Sequence, residues 1–189
     1  MSRPRVKICG LTRREDVEAA VAAGADALGF ICWPNSPRFV PPRAVRALAA
    51  DLPALVARVG VFVGAPPDEV RDTVGAAGLA AVQLHGDEAV GDYAVVGRPL
   101  IRAVSLLTDE DVARAVELPA AVTVLVDAHD PARRGGTGTR ADWRRAAALA
   151  RRRPILLAGG LGPENVAEAL HEVRPWGIDV SSGVETALA

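Results

Sequence analysis

The chain has two cysteines, Cys9 and Cys32, and a single lysine, Lys7, in 189 residues. Two thiols are too few for a disulfide scaffold or a cysteine-rich metal centre. The three histidines, His85, His129 and His171, stand in separate segments without ligand spacing, so no metal site is expected. No apolar run approaches the roughly 20 residues that cross a bilayer. Met1–Val6 also lacks the apolar core of a signal peptide, which makes the cytoplasm the expected compartment. A formal net charge of −1 gives no footprint for nucleic acid or an anionic membrane surface. No low-complexity tract or composition shift marks a linker.

What is present is apolar sequence, 50% of the residues, enough for one domain with one sizeable core across residues 1–189. Short apolar runs alternate with helical patterns. Strands are expected at 6–9, 27–31, 58–63, 81–84, 100–104, 123–126 and 155–158, with an eighth beginning at Gly177. Helices are expected between them at 14–23, 43–52, 68–77, 109–116, 141–151 and from Pro163, with a poor one around 88–95 weakened by Gly91. Thr108 followed by Asp111 reads as a helix start, and Asp68 and Glu69 suit the positive end of a helix dipole. Eight strands in strict alternation with helices imply a parallel sheet, and eight units favour a closed (β/α)8 TIM barrel over an open one. After Ser181-Ser-Gly the sequence leaves six residues, so the eighth helix is expected to be missing or vestigial.

The most informative stretch is Ile155-Leu-Leu-Ala-Gly-Gly-Leu-Gly-Pro-Glu-Asn-Val166. A buried strand runs through Gly159 and Gly160 toward a helix, with Pro163 suited to a first helical position, and such a turn leaves backbone N–H groups for an anion. Gly177-Ile-Asp-Val-Ser-Ser-Gly183 has the same character. Two adjacent donor-rich strand ends make a phosphate cradle of the kind found after the last two strands of many barrels.

Barrel enzymes place their chemistry at the C-terminal strand ends. In the first strand, Val6 and Ile8 must face the helices, which turns Lys7 and Cys9 toward the barrel axis. A nearby ammonium lowers a thiol pKa and makes a better proton acceptor; the alternative is a buried structural thiol. Asp127 closes an apolar run and shares a face with Thr123 and Leu125. It either holds a proton at an apolar rim or pairs with Lys7 or an arginine. The first and sixth strands lie across the mouth from one another in an eight-stranded ring. Cys9 and Asp127 can therefore flank one sugar, an arrangement suited to an isomerase. Arg38, on a loop stiffened by two prolines, is available for a carboxylate or for solvent. His85 closes the fourth strand. The loop Arg133-Arg-Gly-Gly-Thr-Gly138, with Gly135 and Gly136, is donor-rich and reads as either a substrate cover or a surface turn.

Together, Lys7-Ile-Cys-Gly-Leu-Thr, Gly24-Ala-Asp-Ala-Leu-Gly-Phe, Ser36-Pro-Arg-Phe-Val, Val59-Gly-Val-Phe-Val, Val82-Gln-Leu-His-Gly-Asp-Glu, Gly135-Gly-Thr-Gly, Leu157-Ala-Gly-Gly-Leu and Asp179-Val-Ser-Ser-Gly-Val-Glu-Thr resemble the phosphoribosylanthranilate isomerases over essentially the whole chain. The resemblance implies an Amadori rearrangement in tryptophan synthesis, converting N-(5-phosphoribosyl)anthranilate to the 1-deoxyribulose 5-phosphate derivative. It implies Cys9 as general base and Asp127 as general acid. It further implies Arg38 on the anthranilate carboxylate, and His85 and Asp179 lining the site. Phosphate is implied on Gly159, Gly160, Ser182 and Gly183, and no cofactor or metal is called for. Cys32 departs from the aromatic residue usual in the family. A monomer and a homodimer are both compatible with the sequence. Two rivals stand beside this reading: the related histidine-pathway aminoaldose isomerase, whose family carries a carboxylate where Cys9 stands, and a non-catalytic truncated barrel that binds sugar phosphates.

Overall fold

Apolar runs bounded by glycine and proline form eight short parallel strands: β1 Arg5–Cys9, β2 Ala27–Ile31, β3 Ala57–Phe62, β4 Ala81–Leu84, β5 Leu100–Val104, β6 Thr123–Val126, β7 Ile155–Leu157 and β8 Gly177–Val180. Their hydrogen-bonded order is sequential from β1 to β8 and closes on itself, a (β/α)8-type closed barrel. The structure, a computed structural model, describes residues 3–127 and 142–185. Its contacts divide the chain into two compact units, one of residues 7–101 and one of residues 3–6 with 102–127 and 142–185.

In the first unit the helices are α1 Arg14–Ala22, α2 Pro42–Leu48 and α3 Pro67–Ala77. Helix α3 shows why these segments coil. Pro67 supplies a preset φ, Asp68 and Glu69 face the positive end, and Gly78 at φ 69° ends the helix in a conformation other residues avoid. Val70, Val74 and Ala77 of α3, Val45 of α2 and Val17 and Ala20 of α1 close one apolar cluster with Leu28, Phe30, Phe62, Val82 and Leu84 of the strands. Each fully buried Val, Leu or Phe among them contributes about 1.5–3 kcal/mol.

The opposite face of the same strands follows from the register. Cys9 pairs with Gly29, Gly29 with Val59 and Val59 with Ala81, while Lys7 pairs with Ala27 and Val61 with Gln83. Paired residues of parallel strands point the same way. Lys7 and Cys9 therefore lie on the face turned from the helices, as expected from the alternation of strand one. The weak helix anticipated around 88–95 is instead a 3-10 turn, Val90–Val96, because Gly91 and a left-handed Gly97 leave too few good helix positions.

In the second unit the helices are α4 Asp109–Glu117, α5 Trp143–Ala150 and α6 Val166–Val173. Thr108 and Asp111 form the anticipated reciprocal cap of α4. The other end of α4 is closed by Arg153, whose guanidinium donates to the carbonyls of Ala115, Leu118, Pro119 and Val122 at 2.8, 2.8, 3.1 and 2.7 Å. Helix α6 corrects one expectation. It starts after Asn165, not at Pro163, because the Asn165 side chain binds back to the preceding loop and turns 162–165 first. After β8 the described residues contain a single 3-10 turn, Ser182–Val184. Among the described residues, no helix is long and apolar enough to cross a membrane.

Candidate active site

At the end of β1 the sequence places a cation and a thiol on one face, and the neighbouring strand makes room for both. A Cβ on Gly29 would lie 2.7 Å from the Cys9 sulfur and 3.1 Å from Lys7 Nζ. The ammonium and the thiol thus share the space that a missing side chain leaves. Lys7 is only 2% exposed, a burial that charged groups accept mainly at functional sites.

Arg38 is buried at 7%, which settles it inside the protein and not on the solvated surface. Its loop folds back on β2, with Val40 N–H donating to the Ile31 carbonyl at 2.9 Å and Arg38 N–H to Ser36 Oγ at 3.1 Å. Beyond β4, His85 is half-buried, and its Nδ1 meets the Gln83 amide nitrogen at 3.0 Å. Gln83 is 1% exposed and, among the described residues, its carbonyl oxygen has no hydrogen-bond partner. Glu88 joins the two adjacent loops, accepting from Gly64 N–H at 2.6 Å and from Gly86 N–H at 2.8 Å. Lys7, Cys9, Arg38 and His85 therefore belong to one unit, with Gln83 and Glu88 as supports that the sequence reading missed. The signal for Gln83 was its polarity between Val82 and Leu84, and for Glu88 its place at the end of the Val82-Gln-Leu-His-Gly-Asp-Glu motif.

The second unit holds the remaining candidates. Leu125 pairs with Leu156 and Leu156 with Gly177, so alternation puts Thr123, Asp127, Ala158 and Asp179 on that same face. The opposite face carries Val124, Val126, Ile155 and Leu157, each at most 1% exposed. Asp127 is half-buried at its strand end, and Asp179 is buried at 8%. Gly159 and Gly160 adopt φ values of 82° and 63°, left-handed conformations that glycine enters without cost. Gly183 touches the same loop from the other side, for a Cβ there would stand 1.9 Å from the Leu161 carbonyl oxygen. Among the described residues, no acceptor meets the backbone N–H groups of Gly160, Ser182 or Gly183. The two turns are thus in backbone contact and carry donors that meet no acceptor among the described residues. Gly135 and Gly136 lie outside the described residues.

The remaining thiol is of another kind. Cys32 is packed in the apolar cluster of the first unit, and burial pushes its pKa up to about 12, so it holds its proton. Among the described residues, no group of three metal-ligating side chains is assembled.

Residues 6–187 match the family model described as PRAI, N-(5'phosphoribosyl)anthranilate (PRA) isomerase. The chain belongs to the phosphoribosylanthranilate isomerase family. It is 51% identical over 189 residues to the N-(5'-phosphoribosyl)anthranilate isomerase of Chromohalobacter salexigens, covering 99% of this chain and 88% of that one. Against the Myxococcus xanthus isomerase the identity is 48%, over 97% and 88% of the two chains. The crystal structure of phosphoribosyl anthranilate isomerase from Thermotoga maritima superposes with a TM-score of 0.89 at 39% identity, over 98% and 91% of the chains. A phosphoribosyl anthranilate isomerase in complex with reduced 1-(o-carboxyphenylamino)-1-deoxyribulose 5-phosphate gives 0.86 at 38% identity, again over 98% and 91%. As a phosphoribosylanthranilate isomerase the chain is an aldose–ketose isomerase of tryptophan biosynthesis.

Proposed function

We propose that Cys9 is the general base and Asp127 the general acid of this isomerase, acting as one domain of residues 1–189 on N-(5'-phosphoribosyl)anthranilate. The observation that carries the reading is the gap above Gly29, where the buried Lys7 ammonium and the Cys9 sulfur lie 3.1 and 2.7 Å from one point. Asp127, at the end of an apolar strand, delivers a proton to the furanose ring oxygen. The C1–O bond then breaks as the anilino nitrogen lone pair forms a Schiff base. Cys9 removes the C2 proton, the electron pair moves into a C1–C2 double bond, and an enolamine results. Transfer of the hydroxyl proton and protonation of C1 give the ketone. Protons shift within one skeleton, so no redox partner or leaving group is required.

The other candidates have binding roles. Arg38 takes the anthranilate carboxylate with its planar fork. Lys7, His85 and Asp179 line the sugar, and the loop bearing Gly135 and Gly136 contributes donors. The phosphate lies on Gly159, Gly160, Ser182 and Gly183, a reading supported by the Gly160, Ser182 and Gly183 N–H groups, which meet no acceptor among the described residues, and by the contact between the two turns. The enzyme works in the cytoplasm as a monomer or homodimer.

The test is turnover of substrate generated in situ, followed by loss of anthranilate fluorescence. General acid–base groups contribute about 10²–10⁴-fold each, so Cys9→Ala and Asp127→Asn should lower kcat by that order without loss of the folded state. Wild-type kcat in either variant removes the assigned role.

A further inference from the structure

We infer that Asn165 is a positioning residue for the phosphate end of the substrate, acting through the backbone and not by touching the ligand. The inference rests on the phosphate reading above. Asn165 Oδ1 accepts from Gly162 N–H at 3.0 Å, and its Nδ2 donates to the Gly160 carbonyl at 2.8 Å. The two partners have opposite polarity, so only one orientation of the amide satisfies both. One short side chain therefore grips the loop on each side of Leu161. That grip bears directly on the donors. The Gly160 carbonyl is bound to Asn165, and Gly160 is held at φ 63°, which fixes where its own N–H points. The Leu161 carbonyl between the two anchors is the atom against which Gly183 lies, at a distance that leaves no room for even a methyl group. Setting the 160–162 loop thus also sets the bed on which the Ser182–Gly183 donors rest. Holding the Gly160 carbonyl and the Gly162 N–H at once needs a donor and an acceptor on two separate atoms; serine has a single oxygen and alanine has neither.

The experiment compares Asn165→Ala and Asn165→Ser with the wild type by competitive inhibition with inorganic phosphate, alongside KM, kcat and thermal midpoint. Serine keeps a neutral acceptor for the Gly162 N–H, but its one oxygen cannot also stand where Asn165 Nδ2 meets the Gly160 carbonyl. Both variants should raise the phosphate Ki and the substrate KM by about tenfold, equivalent to ~1.4 kcal/mol, with kcat changed much less. Serine should recover thermal stability but not the Ki. If serine restores the wild-type Ki, Asn165 only stabilises the helix start and the inference is overturned. If phosphate competes with substrate and neither variant changes its Ki, the inference also fails. If phosphate does not compete even with the wild type, it is the phosphate reading that fails. Should alanine prevent folding, the serine variant alone decides.

Discussion

The Cys9 sulfur lies 2.7 Å from where a Cβ on Gly29 would stand, and Gly29 is the register partner of Cys9 on the adjacent strand. The thiol therefore occupies space that only glycine leaves open. A Gly29→Ala enzyme must move the sulfur, the Lys7 ammonium or the strand. Displacing a reacting group by about 1 Å can cost about 10²-fold in rate. We expect kcat to fall by that order while the circular dichroism spectrum stays that of the wild type. Unchanged kcat would mean that Cys9 does not act from this position.

Arg38 combines burial at 7% with the one side chain able to bind a carboxylate through two parallel hydrogen bonds. Arg38→Ala should raise KM by at least about tenfold, with a smaller effect on kcat. Arg38→Lys keeps the charge but loses the fork, so it should recover only part of the affinity. An unchanged KM in the alanine variant would place the anthranilate carboxylate elsewhere.

All eight strands were legible because parallel strands buried on both faces read as apolar runs ending in glycine or small residues. The inward direction of Lys7 and Cys9 followed from Val6 and Ile8, and the α4 start from Thr108 and Asp111. The misses share a different physics. Pro163 satisfies the rule for a first helical position, but Asn165 won through side-chain bonds to Gly160 and Gly162 that propensity does not weigh. Arg153 resembles any basic residue between a helix and a strand. Its role depends on carbonyls 31 to 38 residues away, which only the folded chain brings near. Gln83 stood in view within the strand, yet its partner His85 shares its face only because the chain stays extended past β4.

Cys32 gives the folded protein a measurable weakness at high pH. Burial raises its pKa from 9.0 to about 12, so the folded state disfavours the thiolate that the unfolded chain forms readily. The stability tied to the neutral thiol is complete below about pH 9 and is lost as pH rises toward about 12. Urea midpoints should therefore fall over that window more steeply in the wild type than in Cys32→Ala. The variant begins lower at neutral pH because it leaves a small cavity. Parallel slopes in the two proteins would show that Cys32 does not set this dependence.

Gly183 offers a test of the phosphate cradle that leaves the reacting groups alone. A Cβ at this position would stand 1.9 Å from the Leu161 carbonyl oxygen and 3.0 Å from the Gly162 Cα, both of them backbone atoms. Backbone cannot swing aside as a flexible side chain does, so Gly183→Ala must push the turn after β8 off the turn after β7. Separating the turns moves the Ser182 and Gly183 N–H groups away from the loop that carries the Gly160 N–H. KM should rise by at least about tenfold, and inorganic phosphate should lose potency as a competitor in parallel. The clash with backbone strains the folded state, so the thermal midpoint should fall as well. A lower midpoint with KM and phosphate inhibition both intact would mean that the turns matter for packing and that the phosphate is bound by other groups.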